Sequence, residues 1–358
     1  MDLEISRSNL RELRTENRPR LELEAGQARM ELEAFGITAN NITYAVMGDL
    51  MRYWEFFPPA QDAEHWGRVP VWGFATAVES QSSELPEGSR VFGYFPMASE
   101  LVVSVGRVDE QGFTDMTEHR SSLPTVYNRY AFVDGDPVYR PEREGEIILL
   151  RPLFVTSFTI DDFIADNEFF GAATVVISSA SSKTAIAAAF LLAERDGIEV
   201  VGLTSEANLE FTSSLSCYHR VLTYDQIDQL SSVPTVYVDV AGRRDVTRKV
   251  HEFLGEQLNY SMIVGDTHWE AEDLDAGTLI GPKPTLLFAP VQIAKRRSDW
   301  GRNGFEEKVA EAWHRFVEFT DGWMQVVEVD GVDGIVSTYL DVLEGRIDPR
   351  VGHVCRFS

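Results

Sequence analysis

Hydrophobic and polar positions alternate along the first part of the chain, and further on their period changes. Residues 28–41, "ARMELEAFGITANN", carry apolar side chains at nearly every second position and end in a run that reads as a turn. Such alternation sets one face of a strand against a core and the other toward water. "VPVWGFATAVES" (69–80) predicts a second strand, and "SRVFGYFPMASELVVSVGRV" (89–108) predicts two more joined by a turn. Between them "ELPEG" (84–88) has the Pro and Gly punctuation of a tight connection. The first half is therefore expected to be a twisted, partly closed antiparallel sheet.

After residue 150 strands and helices alternate. "TVVI" (174–177), "IEVVGLTS" (198–205), "RVLTYD" (220–225), "TVYVDVAG" (235–242) and "YSMIVGDT" (260–267) are short apolar runs, most of them rich in β-branched residues. Helical segments separate several of them: "TAIAAAFLLAERDG", "EANLEFTSSLS" and "RRDVTRKVHEFLGEQL". This order argues for parallel strands with right-handed crossovers, the doubly wound α/β arrangement. In the tail, Phe305, Val309, Trp313, Phe316 and Val317 follow helical spacing. A second helix, "GIVSTYLDVLEGR", and a last short strand, "GHVCRF", complete the pattern.

Length and charge narrow the reading. At 358 residues the chain is too long for one ordinary core, so two domains are expected. A net charge of −25 would repel phosphates, which argues against a nucleic-acid or anionic-membrane partner. No apolar run approaches the ~20 residues that span a bilayer. The charged start "MDLEISRSNLRELRTENRPR" is unlike a secretory signal, so a cytoplasmic location is expected. Two cysteines, Cys217 and Cys355, are too few for a disulfide framework or a four-thiolate zinc site, and they read as free, inert thiols.

The candidate chemistry centres on "VVISSASSKTAIAAAF" (175–190), which has the outline of a nucleotide-binding turn without its glycines. Glycine spacing falls on Ser179, Ser182 and Ala185. Serine at the first place costs about 1 kcal/mol if the turn needs positive φ. Ser178, Ser181, Ser182 and Thr184 bring hydroxyls to a helix N-terminus, and Lys183 adds a positive charge; together they make a plausible phosphate cradle. The residues equally suit a helix N-cap box in a domain that has lost its ligand. A Walker-type loop fits poorly, because its earlier glycine would fall on Ile177 inside the strand.

From "FGITANN" onward the order of elements resembles the medium-chain dehydrogenase/reductase superfamily, especially its zinc-free quinone and enoyl reductase branch. "ELEAFGITANN" is similar to the strand and turn leading toward that branch's active site, and "VPVWGFATAVESQSSELPEGSRVFGYFPMASELVV" to its stretch that runs from a Pro-Gly-x-Glu segment through "GDRV" to the barrel strand. "TVVISSASSKT", the following "GLTSEAN", "VYVDVAG" and the closing "GHVCRF" resemble four further family segments in order. Two departures stand out. The glycine turn is replaced, and Trp72-Gly73-Phe74 stands where zinc enzymes carry Gly-His-Glu. The chain therefore looks like a side branch of the domain-of-unknown-function kind.

The resemblance implies a β-rich GroES-like catalytic domain over residues 1–150 and 305–358, the chain returning to it at the C-terminus. A Rossmann-like domain over 151–304 would lie between these segments. It implies a nicotinamide cofactor near Ser179, Ser181, Ser182, Lys183, Thr184, Thr204, Ser205, Asp239 and His268. The hydroxyls of Thr204 and Ser205 favour NADPH, whereas Glu206 one place later favours NADH. The implied activity is metal-free hydride transfer to an activated alkene, quinone or carbonyl. Asn41 and Tyr44 stand in the corresponding catalytic loop, with Asn40 beside them and Tyr53 behind. The aromatic runs "RYWEFFPP" and "HWGRVPVWGF" suit a small-molecule substrate with a bulky apolar or aromatic group, or simply a packed core. A homodimer is expected by analogy. The rival reading is a non-catalytic member of the fold that serves as a binding or scaffolding protein.

Overall fold

The alternating run at 28–41 forms a strand and then, where a turn was expected, a helix. The computed structural model describes residues 1–240, 242–264, 279–287 and 289–357, without the side chain of Arg302. The chain divides into two units, Met1–Arg151 with Met324–Ser358, and Pro152–Trp323.

The first unit opens with β1 (Asp2–Ser6) and β2 (Leu13–Glu16), followed by β3 (Gln27–Ile37), α1 (Ala39–Val46) and β4 (Trp66–Gly67). Next come β5 (Pro70–Ser80), β6 (Arg90–Pro96), β7 (Glu100–Asp109), β8 (Gly112–Asp115) and β9 (Arg129–Phe132). Strands β3, β5, β6, β9, β8 and β7 pair antiparallel in that order, and β7 returns to β3, which closes the sheet. Closure leaves these six strands almost no free edge, and the alternating side chains Met30, Leu32, Val71, Val91, Phe95, Val103 and Phe113 fill a buried core. β1 lies between β2 and β4 in a separate small sheet.

The long helix α2 (Glu144–Asp166) has Pro152 inside it, and the division between units falls at that residue. A proline removes one helical hydrogen bond and crowds the preceding turn, so it is a natural place for such a division.

The second unit continues with β10 (Thr174–Ile177), α3 (Lys183–Ala193), β11 (Glu199–Thr204), α4 (Leu209–Ser214) and β12 (Arg220–Thr223). β13 (Thr235–Asp239), α5 (Arg244–Leu254), β14 (Leu258–Ile263), β15 (Thr285–Leu286) and α6 (Ala289–Thr320) follow. The sheet order is β12-β11-β10-β13-β14-β15, with every neighbouring pair parallel. Counted from its own first strand this is 3-2-1-4-5-6, the doubly wound order. The winding reverses between β10 and β13, and open α/β sheets bind ligands beyond the strand C-termini at such a reversal.

The tail helix at 305–320 is the second part of α6, which bends at Gly301. Its residues Phe305, Val309, Trp313, Phe316 and Val317 are all buried, as their spacing requires. Their aromatic partners are Phe154, Phe158 and Phe190 of the same unit. Residues 305–323 therefore group with the second unit, not with the first as expected. In the first unit, β16 (Gln325–Asp330) and β17 (Val351–Arg356) extend the large sheet, β17 pairing with β3, and α7 (Gly331–Leu343) lies between them in the chain.

Candidate functional site

The turn after β10 keeps the bend of a glycine turn while carrying serine. Ser179 has φ 53°, in the left-handed region where non-glycine residues are uncommon. Several bonds hold it there. The Ser178 N–H donates to the Val238 carbonyl at 2.9 Å, the Ala180 N–H to the Leu203 carbonyl at 3.0 Å, and the Ser182 N–H to the Ser179 carbonyl at 2.8 Å. The Tyr218 hydroxyl donates to the Ala180 carbonyl at 2.9 Å. The turn is thus anchored to both neighbouring strands and overcomes the local cost of its serine. Opposite it, Gly202 of β11 gives room: a Cβ there would press on Ala180 at 2.8 Å and on Tyr218.

Among the hydroxyls, Ser182 caps α3 by accepting from the Ala185 N–H at 3.3 Å. Ser181 accepts from the Asn208 amide at 3.0 Å. Each of these oxygens accepts, so each keeps its own O–H for a further acceptor. Lys183 and Thr184 begin α3, both partly exposed. Thr204 ends β11, buried at 1 % exposure, and its hydroxyl has no hydrogen-bond partner among the described residues. Ser205 follows it, partly exposed, and Glu206 is exposed.

Asp239 lies at the end of β13, buried on the other side of the winding reversal. Its carboxylate accepts from Ser178 Oγ at 2.8 Å, Thr247 Oγ1 at 2.7 Å and the Gly242 N–H at 3.0 Å. The Val240 N–H donates in turn to Ser178 Oγ at 3.1 Å. Asp239 is therefore a brace joining two strand ends. His268 lies outside the described residues.

In the first unit the loop "ANNITYA" is helix α1, started by a capping box. The Thr38 side chain accepts from the Asn40 N–H, and Asn41 Oδ1 accepts from the Thr38 N–H at 2.7 Å. The Asn41 amide donates to the Pro70 carbonyl at 2.8 Å, so Asn41 is fully engaged in shaping the helix. Asn40, one helical turn from Tyr44, is the residue that reaches it, donating to the phenol oxygen at 2.7 Å. Trp72 Nε1 donates to the same oxygen at 3.1 Å.

With both accepting positions filled, the Tyr44 hydroxyl can act outward only as a donor. Burial raises its pKa above the ordinary phenol value, against the opposing pull of the two hydrogen bonds, and it therefore stays protonated at neutral pH. Around it stand Tyr53 at 4.6 Å and Tyr94 at 5.4 Å between ring centroids, with Tyr127 and Phe56 completing the cluster. Tyr53 and Tyr127 pair through their hydroxyls at 3.3 Å. The Tyr94 hydroxyl is buried and without a partner among the described residues.

Gly73 of β5 lies against the backbone of β3. A Cβ at that position would collide with the Ala34 carbonyl, so no side chain fits. Among the described residues no group of three or more His, Cys, Asp or Glu side chains could hold a metal ion.

A sequence model of one family, described as protein of unknown function (DUF2855), matches residues 35–348. The chain belongs to this family. No curated protein matches it. Among solved structures, CurA from Vibrio vulnificus in complex with NADPH is similar at 12 % identity and TM-score 0.62, over 97 % of this chain and 94 % of that one. The yhdH oxidoreductase from Salmonella enterica in complex with NADP is similar at 14 % identity and TM-score 0.53, covering 100 % and 99 %. The quinone oxidoreductase from Coxiella burnetii is similar at 14 % identity and TM-score 0.55, covering 99 % and 98 %. At these identities the likeness establishes the fold: a β-rich unit combined with a Rossmann-like one, as expected from the sequence.

A cavity of about 620 Å³ within the second unit lies elsewhere, among α2, α3 and α6. Its wall alternates acids and bases, including Asp161 with Arg195 and Asp162 with Arg296, and it shares no residue with the serine turn. Sequence reasoning missed Trp72 as a partner of Tyr44, because the two residues meet only through tertiary packing. It missed Tyr127 for the same reason.

Proposed function

We propose that this member of DUF2855 is an NADPH-dependent reductase that works without a metal. The observation that carries the reading is Ser179 at φ 53° at the winding reversal, a turn held in glycine geometry by four hydrogen bonds. The donor set suits a dinucleotide phosphate: outward hydroxyls on Ser181 and Ser182, the first turn of α3, and the ammonium of Lys183. The unpartnered Thr204 hydroxyl at the next strand end fits a site whose polar partner is a ligand. Thr184 and Ser205 complete the set, and Asp239 holds the two strand ends in register. The bound cofactor would supply the hydride.

In the first unit, Tyr44 is the proton donor, oriented by Asn40 and Trp72. A donor aimed at developing oxyanion charge is what reduction of an enone, quinone or carbonyl requires. Tyr53, Tyr127 and Trp72 favour an apolar or aromatic acceptor. The complexes of CurA with NADPH and of yhdH with NADP, on the same fold, support the choice of cofactor.

One observation favours the rival, a non-catalytic binding protein. The Ser181 and Ser182 hydroxyls already serve the protein's own structure. Calorimetric titration with NADPH and NADH separates the two readings. Micromolar binding of NADPH, followed by turnover with quinone or enone acceptors, is expected. Absence of binding of either dinucleotide at millimolar concentration leaves the rival.

A further inference from the structure

The loop after β11 carries no cation: residues 205–219 contain neither lysine nor arginine, and Glu206 is exposed. The amide of Asn208 in this loop is bound to Ser181. A 2′-phosphate recognised at the end of this strand would need its positive charge from another element.

The structure brings one there. Tyr224 directly follows β12, and its N–H donates to the Thr204 carbonyl at 3.0 Å, which fixes it beside the end of β11. Arg243, the residue before α5, lays its guanidinium over the Tyr224 ring at 4.6 Å from the centroid. Asp245 holds it there through Nη2 at 2.8 Å and Nε at 3.3 Å. Stacking on an aromatic face costs a guanidinium little of its hydrogen-bonding capacity. The Arg243 side chain remains 40 % exposed. One cation, one aromatic plate and the unpartnered Thr204 hydroxyl thus belong to the C-terminal edge of the second and third strands.

We propose that Arg243, seated on Tyr224, is the residue that selects NADPH over NADH by pairing with the ribose 2′-phosphate, and that Thr204 marks the same subsite. The inference rests on the reductase reading above and names the residue that sets its cofactor choice. An arginine beside the ribose is the general chemical answer to a 2′-phosphate. Here it comes from the segment between the fourth strand and α5, because residues 205–219 offer neither lysine nor arginine.

The test titrates the full chain calorimetrically with 2′,5′-ADP, 5′-AMP, NADPH and NADH. The wild type is expected to bind 2′,5′-ADP at least tenfold tighter than 5′-AMP. Arg243→Ala should lose most of that ratio with 5′-AMP affinity unchanged, and Arg243→Lys should keep part of it. Arg243→Gln, which preserves the packing on Tyr224, should behave like the alanine variant and guards against a folding artefact. The assignment is overturned if the variants weaken 2′,5′-ADP and 5′-AMP equally, which would make Arg243 a stacking partner for adenine, or if the ratio does not change. Failure of the wild type to bind any of the four ligands would overturn the reductase reading and this assignment together.

Discussion

Trp72 Nε1 and Asn40 Nδ2 both donate to the hydroxyl oxygen of Tyr44, at 3.1 and 2.7 Å, so two buried or half-buried donors share one acceptor. Removing that acceptor strands both. Tyr44→Phe is expected to destabilise the protein by about 1–3 kcal/mol, the usual cost of unsatisfied buried donors. In a Trp72→Phe background the same change should cost less, because one stranded donor is already gone. Denaturant titration of the two single variants and the double variant gives the coupling. Strict additivity would mean that the two side chains do not share the bond. In a reductase assay, Tyr44→Phe should also lower turnover while NADPH affinity stays within a factor of two.

Ser179 supplies a second test because its conformation is set by the turn and not by its own preference. Replacement by glycine removes the Cβ penalty at φ 53°, and a gain of roughly 0.5–1 kcal/mol is expected after the entropy of the added glycine is counted. Ser179→Val should instead lose about 1–3 kcal/mol, since a β-branched residue tolerates this region worst. Thermal melts of both variants suffice. A glycine variant less stable than wild type would show that the serine hydroxyl, not the backbone, maintains the turn.

These two sites show what could be read from the sequence and what could not. Strand–helix alternation from Thr174 onward was enough for the parallel sheet, because β-branched runs and amphipathic helices are local signals. The conditional cost at Ser179 could also be stated, since glycine spacing is local. Helix α1 was hidden: "NN" suggests a turn, although Thr38 followed three residues later by Asn41 is a helix start when read as a cap. With that helix in place, the spacing of Asn40 and Tyr44 follows at once. Helix α2 was missed because Pro152 interrupts it and its apolar residues surround it on most sides. The contacts of Trp72 with Tyr44 and of Ser178 with Asp239 join residues 28 and 61 positions apart, and no local pattern encodes them.

The two cysteines give a chemical prediction. Cys217 and Cys355 are both buried, and burial pushes each thiol up to about 12. The thiolate is the reactive form, so neither should be modified by an aromatic disulfide reagent at pH 8 in the native state. Both should react once the protein is unfolded in denaturant. Rapid labelling of either thiol under native conditions would contradict the packing around it.

His251 on α5 sets a pH dependence whose sign can be worked out. The ring is fully buried, with Nδ1 at 2.8 Å from the Ile280 carbonyl and Nε2 at 2.9 Å from Ser261 Oγ. A carbonyl can only accept, so Nδ1 carries the proton and Nε2 accepts from the serine. The neutral ring is satisfied at both nitrogens. A second proton would sit on Nε2 against an oxygen that is already donating, in a desolvated place, and burial accordingly lowers the pKa below 6.5, with the Ile280 carbonyl opposing. The unfolded chain then binds a proton that the folded chain refuses. The stabilisation is fully present above pH 6.5 and is lost as the pH falls from there toward the depressed folded value. His251→Gln, which offers a donor and an acceptor without titrating, should be less stable at pH 8 but lose less between pH 7 and pH 5 than wild type. Denaturant titrations across that range measure the difference. Parallel curves for the two proteins would remove His251 as the source.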